Sequence, residues 1–322
     1  MPLEGCISLI SRDGLIAVTG ASGFIGSALC ATLRQQGYRV RALVRRPEHS
    51  PQLAEWGVDI LRGDVADAPQ VAALVANSQA VVHCAGVVRG RCQHDFDRVN
   101  VDGTQRLVDA ISSAPVTPRL LLVSSLAARE PDLSWYAASK AASEAILRAQ
   151  TGIPWLIIRP PAVYGPGDKE MLPIFQAMEK GIAPVPGAVT QRTSLIHITD
   201  LVKAMIASLQ SDIAVHQVFS LCDDRENGYS WTEMADIAAA VYGRKVRLWR
   251  VPAWLLNSIA TLNVQLARLS KRAPMLTPAK LRELRHPDWV VDNHLITQLT
   301  GWTPRIGLEK GLISLSQAHR VS

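Results

Sequence analysis

LIAVTGASGFIG, Leu15 to Gly26, decides the fold. An apolar, β-branched run ends in glycines at 20, 23 and 26, and a helix-period pattern begins at Phe24. Gly20 suits a tight turn, Gly23 lets the backbone approach a pyrophosphate, and Gly26 lets the helix press on the strand. The helix amino end, with Ser22, Phe24 and Ile25 among the glycines, offers free N–H groups and a partial positive charge to phosphates. Three glycines alone carry little. Between a strand and a helix they form a dinucleotide-binding signature, so Gly20, Ser22, Gly23, Phe24, Ile25 and Gly26 are candidate cofactor contacts.

The same alternation continues outward. RVRALV (39–44), VDIL (58–61), AVVHCAG (80–86), RLLLVSS (119–125) and WLIIRP (155–160) read as further buried strands, separated by segments with apolar residues three or four apart. Such alternation predicts right-handed βαβ units, hence an α/β fold with a doubly wound, Rossmann-like parallel sheet. After Pro160 the texture changes, with glycine and proline in RPPAVYGPGD and GIAPVPGAVTQ, then helical runs at 198–210, 231–242 and 252–270. Residues 1–164 are therefore assigned to the nucleotide-binding domain, with segments near 190–222 returning to it. Residues 165–322 form mainly a smaller, mostly helical substrate lobe over the carboxyl edge of the sheet, where such folds bind ligands.

The end of the second strand selects the cofactor. NAD binders usually place an acid there for the ribose 2′-OH, whereas arginine accommodates a 2′-phosphate. Here the strand runs VRALVRRPEH, with Arg45 and Arg46 where the acid would stand and Arg41 as a further helper. NADP is expected in preference to NAD, with Arg45 as its first phosphate contact. The competing reading is that these arginines only solvate a strand end.

Composition bounds the function classes. The 322 residues are 48% hydrophobic and 19% charged, with a formal net charge of +6, as in an ordinary globular enzyme that favours anionic ligands. No cluster of Lys and Arg interleaved with aromatics suggests nucleic acid. The five cysteines have no metal-ligand spacing and no C-x-x-C pair, so no metal is expected and reduced thiols fit. The start lacks a signal peptide's pattern, no run is long enough to span a membrane, and a cytoplasmic location is expected.

WYAASKAASEAI, Trp135 to Ile146, puts Tyr136 one helical turn ahead of Lys140. A free phenol has a pKa of about 10 and is a poor base at neutral pH. A neighbouring ammonium and a positive nicotinamide ring would lower it. Tyr136 could then exchange a proton with an alcohol or carbonyl as hydride moves. The plainer reading is a surface helix with a packed tyrosine and a solvated lysine.

Taken together, TGASGFIG, YAASK, LLLVSS, GDV (63–65), HCAG (83–86), NVDGT (100–104), RPPAVYGPGD (159–168) and SLIHITDLVKA (194–204) resemble the short-chain dehydrogenase/reductase superfamily. The chain looks like its extended branch, which includes NAD-dependent epimerase/dehydratases, dihydroflavonol-reductase-like and 3β-hydroxysteroid-dehydrogenase-like enzymes. The resemblance implies that Asp64 and Val65 flank the adenine, and that Ala85 and Gly86 lie against the adenosine half. Pro160 and Val163 would border the nicotinamide, and Asn100 would steady the sheet edge or a water chain near the lysine. It makes Ser125, with Ser124 as the alternate, the donor to the reacting oxygen, and Lys140 a grip on the ribose. Only eleven residues separate Ser125 from Tyr136, so LAAREPDLSW must join them by a short route. His197 and Asp200 would join the lobes, and a homodimer through a four-helix face is usual in the family. Nucleotide-sugar members carry an arginine where this chain has Thr193, with Arg192 one step earlier.

The resemblance also sorts the chemistries. Leu126 and Ala127 stand where sugar-nucleotide dehydratases carry an acid pair, which disfavours dehydration. An NADP-dependent oxidoreductase moving hydride between the cofactor and a ketone or secondary alcohol needs nothing more than Ser125, Tyr136 and Lys140. The alternatives are a nucleotide-sugar epimerase and a non-catalytic NADP-binding regulator. The substrate is a small molecule, and an apolar, polycyclic or lipid-like one suits the lobe. VPAWLLNSIATLNVQLARLSKRAP places Leu255, Ile259, Leu262, Leu266 and Leu269 on one helical face. That face is read first as packing on the domain itself. A lid, or peripheral membrane contact through 252–272 with Arg268, Lys271 and Arg272, is the other reading.

Overall fold

The carboxyl ends of the first and fourth strands meet at one point, and the rest of the fold is arranged around it. The computed structural model describes residues 10–270, 274 and 276–321, the side chains of 268–270 and 318–321 excepted. Strands β1 (Leu15–Thr19), β2 (Arg39–Val44), β3 (Asp59–Arg62), β4 (Ser78–His83), β5 (Arg119–Val123), β6 (Trp155–Arg159) and β7 (Gln217–Ser220) form one parallel sheet. Their order is β7-β6-β5-β4-β1-β2-β3. β1 and β5 are buried at every residue, as strands covered on both faces must be. Ile16 pairs with Val40 on one side and Ala80 on the other, so the strand order reverses between β4 and β1. A crevice at such a reversal is the ligand site of doubly wound sheets.

Five helices cover the sheet: α1 (Phe24–Gln35), α2 (Ala68–Val75), α3 (Asp102–Ser112), α4 (Trp135–Arg148) and α5 (Ile198–Gln210). Leu29 and Leu33 of α1 share a core with Leu201 and Met205 of α5 on one face. Leu74, Leu107, Ile111 and Leu147 of α2, α3 and α4 form the core of the other. Six of the seven strands lie on the six runs read from the sequence. The seventh, Gln217–Ser220, is a four-residue edge strand with only Phe219 buried, too short and too mixed to show a period.

The smaller lobe has its own core, where Tyr164, Phe175, Trp231, Met234, Leu308 and Leu312 meet. Its main helices are α6 (Trp231–Tyr242), α7 (Ala253–Ser270), α8 (Pro278–Arg285) and α9 (Leu308–Val321). A capping box starts α6: Ser230 accepts from the N–H of Glu233, and Glu233 accepts from that of Ser230 at 2.7 Å. Asp200 joins the lobes by accepting from the N–H groups of Arg305 and Ile306 at 2.8 and 2.7 Å. His197 caps α5 and meets Tyr164 edge-on at 5.4 Å.

The structure corrects the first reading of α7. Ile259, Leu262 and Leu266 are 41%, 55% and 52% exposed, whereas Ala260 and Ala267 are buried. The helix packs on its small residues, which allow close approach, and turns its larger apolar stripe outward. Periodicity shows that a stripe exists but not which stripe a neighbour covers. Arg268, Leu269, Lys271 and Arg272 lie outside the described side chains.

Candidate active site

The turn after β1 has the shape a dinucleotide needs. Gly20 has φ +70°, and a Cβ there would stand 2.5 Å from the backbone nitrogen of Ala85 in the turn after β4. A Cβ on Gly26 would stand 2.2 Å from the Gly20 carbonyl, so α1 starts directly on the turn. No side chain caps this helix at Gly23, and Ser22 and Gly23 are exposed at its tip. Its first N–H groups are left for an anion, which fits a pyrophosphate.

Two short 3-10 turns, Leu126–Arg129 and Pro131–Leu133, shorten the path from Ser125 to Tyr136. Ser125 caps the first by accepting from the Ala127 N–H at 3.2 Å. Ser134 caps α4 in the same way at 3.0 Å from Ala137, which places Tyr136 in the first turn. The chain thereby brings Ser125 and Tyr136 to the wall of one cavity. Ser124 points elsewhere: it donates to Glu144 at 2.6 Å, and Glu144 holds Arg159 through two bonds of 2.8 and 2.6 Å.

Lys140 is 6% exposed and donates to the Val123 carbonyl at 3.0 Å. Burial lowers its pKa to about 8, against a smaller upward pull from Cys84 and Glu144. An ammonium has three donors, so this lysine keeps donors for ligand hydroxyls. Burial pushes the Tyr136 phenol up to about 12; the Ser125 hydrogen bond opposes this, while Glu283 and Glu170 add to it. The expected lowering of the tyrosine pKa is thus absent from the protein alone. The reason is burial, which favours the neutral phenol. At neutral pH Tyr136 is protonated.

Asn100 fixes the loop beside the lysine. It lies in a π-turn, Asp97–Val101, accepts from the Val87 N–H at 2.8 Å and donates to Ser139 at 2.8 Å. The turn carrying Ala85 and Gly86 is thereby tied to α4. His83, whose role the sequence did not suggest, bonds Thr19 at 2.7 Å across β1 and β4. Burial and Lys140 lower its pKa to about 3, so it is neutral.

Phe24, Ile25, Ser125, Tyr136, Pro160 and Val163 all face one cavity of about 960 Å³. The far wall comes from the smaller lobe: Trp231, Met234, Val264, Ala267 and Leu276 give it an apolar surface. Among the described residues, the four cations on its lining are engaged. Arg89 pairs with Glu170 at 2.5 Å, Arg91 with Asp95 at 3.6 Å and Lys280 with Glu283 at 2.7 Å, while Arg282 donates to the Leu133 carbonyl. Thr193 lines this cavity, but Arg192 turns away to Glu233 and the carbonyls of Asn227 and Gly228. Lys280 lies 5.9 Å over the Tyr136 ring.

The adenosine end lies outside this cavity, along β2 and β3. Arg45 and Arg46 are exposed, and Arg45 stands 3.9 Å from Asp64. Val65 is buried beside Asp64. Arg41 is not available to a phosphate: Asp59 holds it at 2.7 Å, and it also donates to carbonyls at the end of α2.

Comparison with known proteins agrees with this geometry. A model of the NAD dependent epimerase/dehydratase family matches residues 16–222. The ceramide reductase of Caulobacter vibrioides is 39% identical over 277 residues, 86% of this chain and 86% of that protein. A 3 beta-hydroxysteroid dehydrogenase/Δ5→4-isomerase of Mycobacterium tuberculosis is 29% identical over 231 residues, 63% of this chain and 62% of that protein. The fold also matches UDP-glucuronic acid 4-epimerase from Bacillus cereus, solved with UDP-glucuronic acid and NAD, at a TM-score of 0.72 and 18% identity over 96% of this chain and all of that one. The chain belongs to the NAD dependent epimerase/dehydratase family and is an oxidoreductase of the extended short-chain dehydrogenase/reductase type.

Proposed function

We propose that the chain is a cytoplasmic NADP-dependent reductase of a ketone carried on a long-chain lipid. One observation carries the reading: the cavity that holds Ser125 and Tyr136 is large, apolar on its far side, and has its four lining cations among the described residues engaged. An acyl chain suits that wall, and a nucleotide diphosphate does not. The likeness to a ceramide reductase supports the same substrate class. The exposed Arg45, with no acid in its place at the end of β2, favours the 2′-phosphate of NADP over NAD.

A bound reduced nicotinamide would supply the hydride. Ser125 would hydrogen-bond the substrate carbonyl oxygen and stabilise the charge that develops there. Tyr136 would give that oxygen its phenolic proton, and its raised pKa keeps the proton available at neutral pH. Lys140, fixed on Val123, would hold the cofactor's ribose hydroxyls and set the depth of the nicotinamide.

The test is NADPH consumption by purified protein with a long-chain 3-oxo amide in mixed micelles, alongside UDP-sugars without added NADPH. Ketone-dependent NADPH loss with a hydroxyl product is the expected result. Interconversion of UDP-sugars with no reduction of the lipid ketone would instead establish an epimerase.

A further inference from the structure

We propose that α7 and the strand before it dock the protein on an anionic phospholipid bilayer. α7 is a wall with two apolar faces. Thr261, Val264 and Ala267 line the active-site cavity, while Ile259, Leu262 and Leu266 point outward into solvent. At 100° per residue these sets fall on opposite sides of the helix. The helix does not rest on its outward face: Arg285 of α8 grips its inner side through Asn257 at 3.3 Å and also binds the Pro186 carbonyl at 3.0 Å.

Two exposed tryptophans stand at the amino end of this helix. Trp254, at the start of α7, is 70% exposed, and Trp249 is 54% exposed on the strand Arg247–Arg250 that leads into it. Arg244, Lys245, Arg247 and Arg250 are exposed around that strand. Residues 237–279 include seven Lys or Arg and no Asp or Glu. An exposed aliphatic helix face, with exposed tryptophans and unbalanced cations at one end, is the chemistry of an interfacial segment bound to anionic headgroups. A second copy is a poor occupant, because a two-fold contact would press this cationic surface against itself. Among the described residues no helix is long and apolar enough to cross a membrane, so the contact is peripheral. The docking stands by itself. Only the further step, a lipid ketone moving from the bilayer past α7 into the cavity, rests on the function proposed above.

The experiment is flotation of the full chain with vesicles of phosphatidylcholine, with and without phosphatidylglycerol. Wild type should float with the anionic vesicles and bind pure phosphatidylcholine at least about tenfold less. Two variants keep the test independent of one substitution: Leu262→Asp with Leu266→Asp, and Arg247→Glu with Arg250→Glu. Each should lose binding by about tenfold or more while its far-ultraviolet circular dichroism and its reduction of a short water-soluble ketone stay unchanged. Wild type that ignores anionic vesicles, or variants that float as well as wild type, would overturn the docking. So would a wild-type dimer that the leucine variant converts to monomers, since the face would then belong to a second copy. Vesicle binding without lipid-ketone reduction would sink the substrate and leave the docking intact.

Discussion

Ser124 donates to Glu144 at 2.6 Å, while its neighbour Ser125 lines the same cavity as Tyr136. One peptide unit separates a hydroxyl held in the core from the one proposed to act on the substrate. Glu144 is nearly fully buried against Arg159, so the Ser124 bond completes a buried charged network. Ser124→Ala should cost about 1–3 kcal/mol of stability and leave kcat within about twofold. Ser125→Ala should lose only its long cap to Ala127, about 0.5–1 kcal/mol, and lower kcat by about 10²–10³-fold. Thermal unfolding and steady-state reduction of a ketone, measured on both variants, separate the two roles. Equal losses of kcat would show that the assignment is wrong.

Tyr136 should be the proton donor and not a cofactor anchor. Tyr136→Phe keeps the ring that meets Phe96 at 6.3 Å and removes only the hydroxyl. It should lower kcat by about 10²–10⁴-fold. NADPH affinity, read from nicotinamide fluorescence, should change by less than about threefold. Retained turnover would show that another group delivers the proton.

The glycine turn and the tyrosine–lysine pair were legible because each needs only local geometry: a strand, a turn, a helix and one helical turn of spacing. Six strands were legible because burial on both faces leaves continuous apolar runs. The direction of the Tyr136 shift was not, because it is set by how deeply the folded chain buries the phenol. Nor could a single sequence show that Arg41 is taken by Asp59, or that Lys280 lies over the tyrosine ring from the other lobe. The α7 stripe fails for a related reason. Apolar spacing marks a face, but Ala260 and Ala267, short enough to let the helix lie close, decide which face is covered.

Arg45 should carry the choice between the two nicotinamide cofactors. Its guanidinium is exposed, and its near partner, Asp64, stands at 3.9 Å, so it can turn to a phosphate at small cost. Arg45→Ala should weaken NADPH binding by about tenfold and NADH binding by less than about twofold, the discount reflecting solvent screening at this exposed site. Fluorescence titration of both cofactors reads this directly. An equal effect on both would mean that Arg45 only solvates the strand end.

Lys140 ties activity to stability with opposite signs. Its pKa is lowered to about 8 in the folded chain, against about 10.4 unfolded. Below pH 8 both states hold the proton, and the folded state bears the full cost of burying the charge. Between about pH 8 and 10.4 the unfolded chain binds more protons than the folded one, so this residue's contribution to stability rises with pH. Lys140→Met removes the buried charge and should unfold roughly 2–6 °C higher than wild type at pH 7. That advantage should shrink as pH climbs through 8 to 10, because the wild-type lysine then becomes neutral. Turnover should run the other way, lost in the variant at every pH and falling in wild type as pH rises through about 8, where the ammonium that holds the ribose disappears. Thermal scans and kcat profiles over the same pH range test both halves. A variant less stable than wild type at pH 7 would show that packing and the bond to Val123 outweigh the cost of the charge.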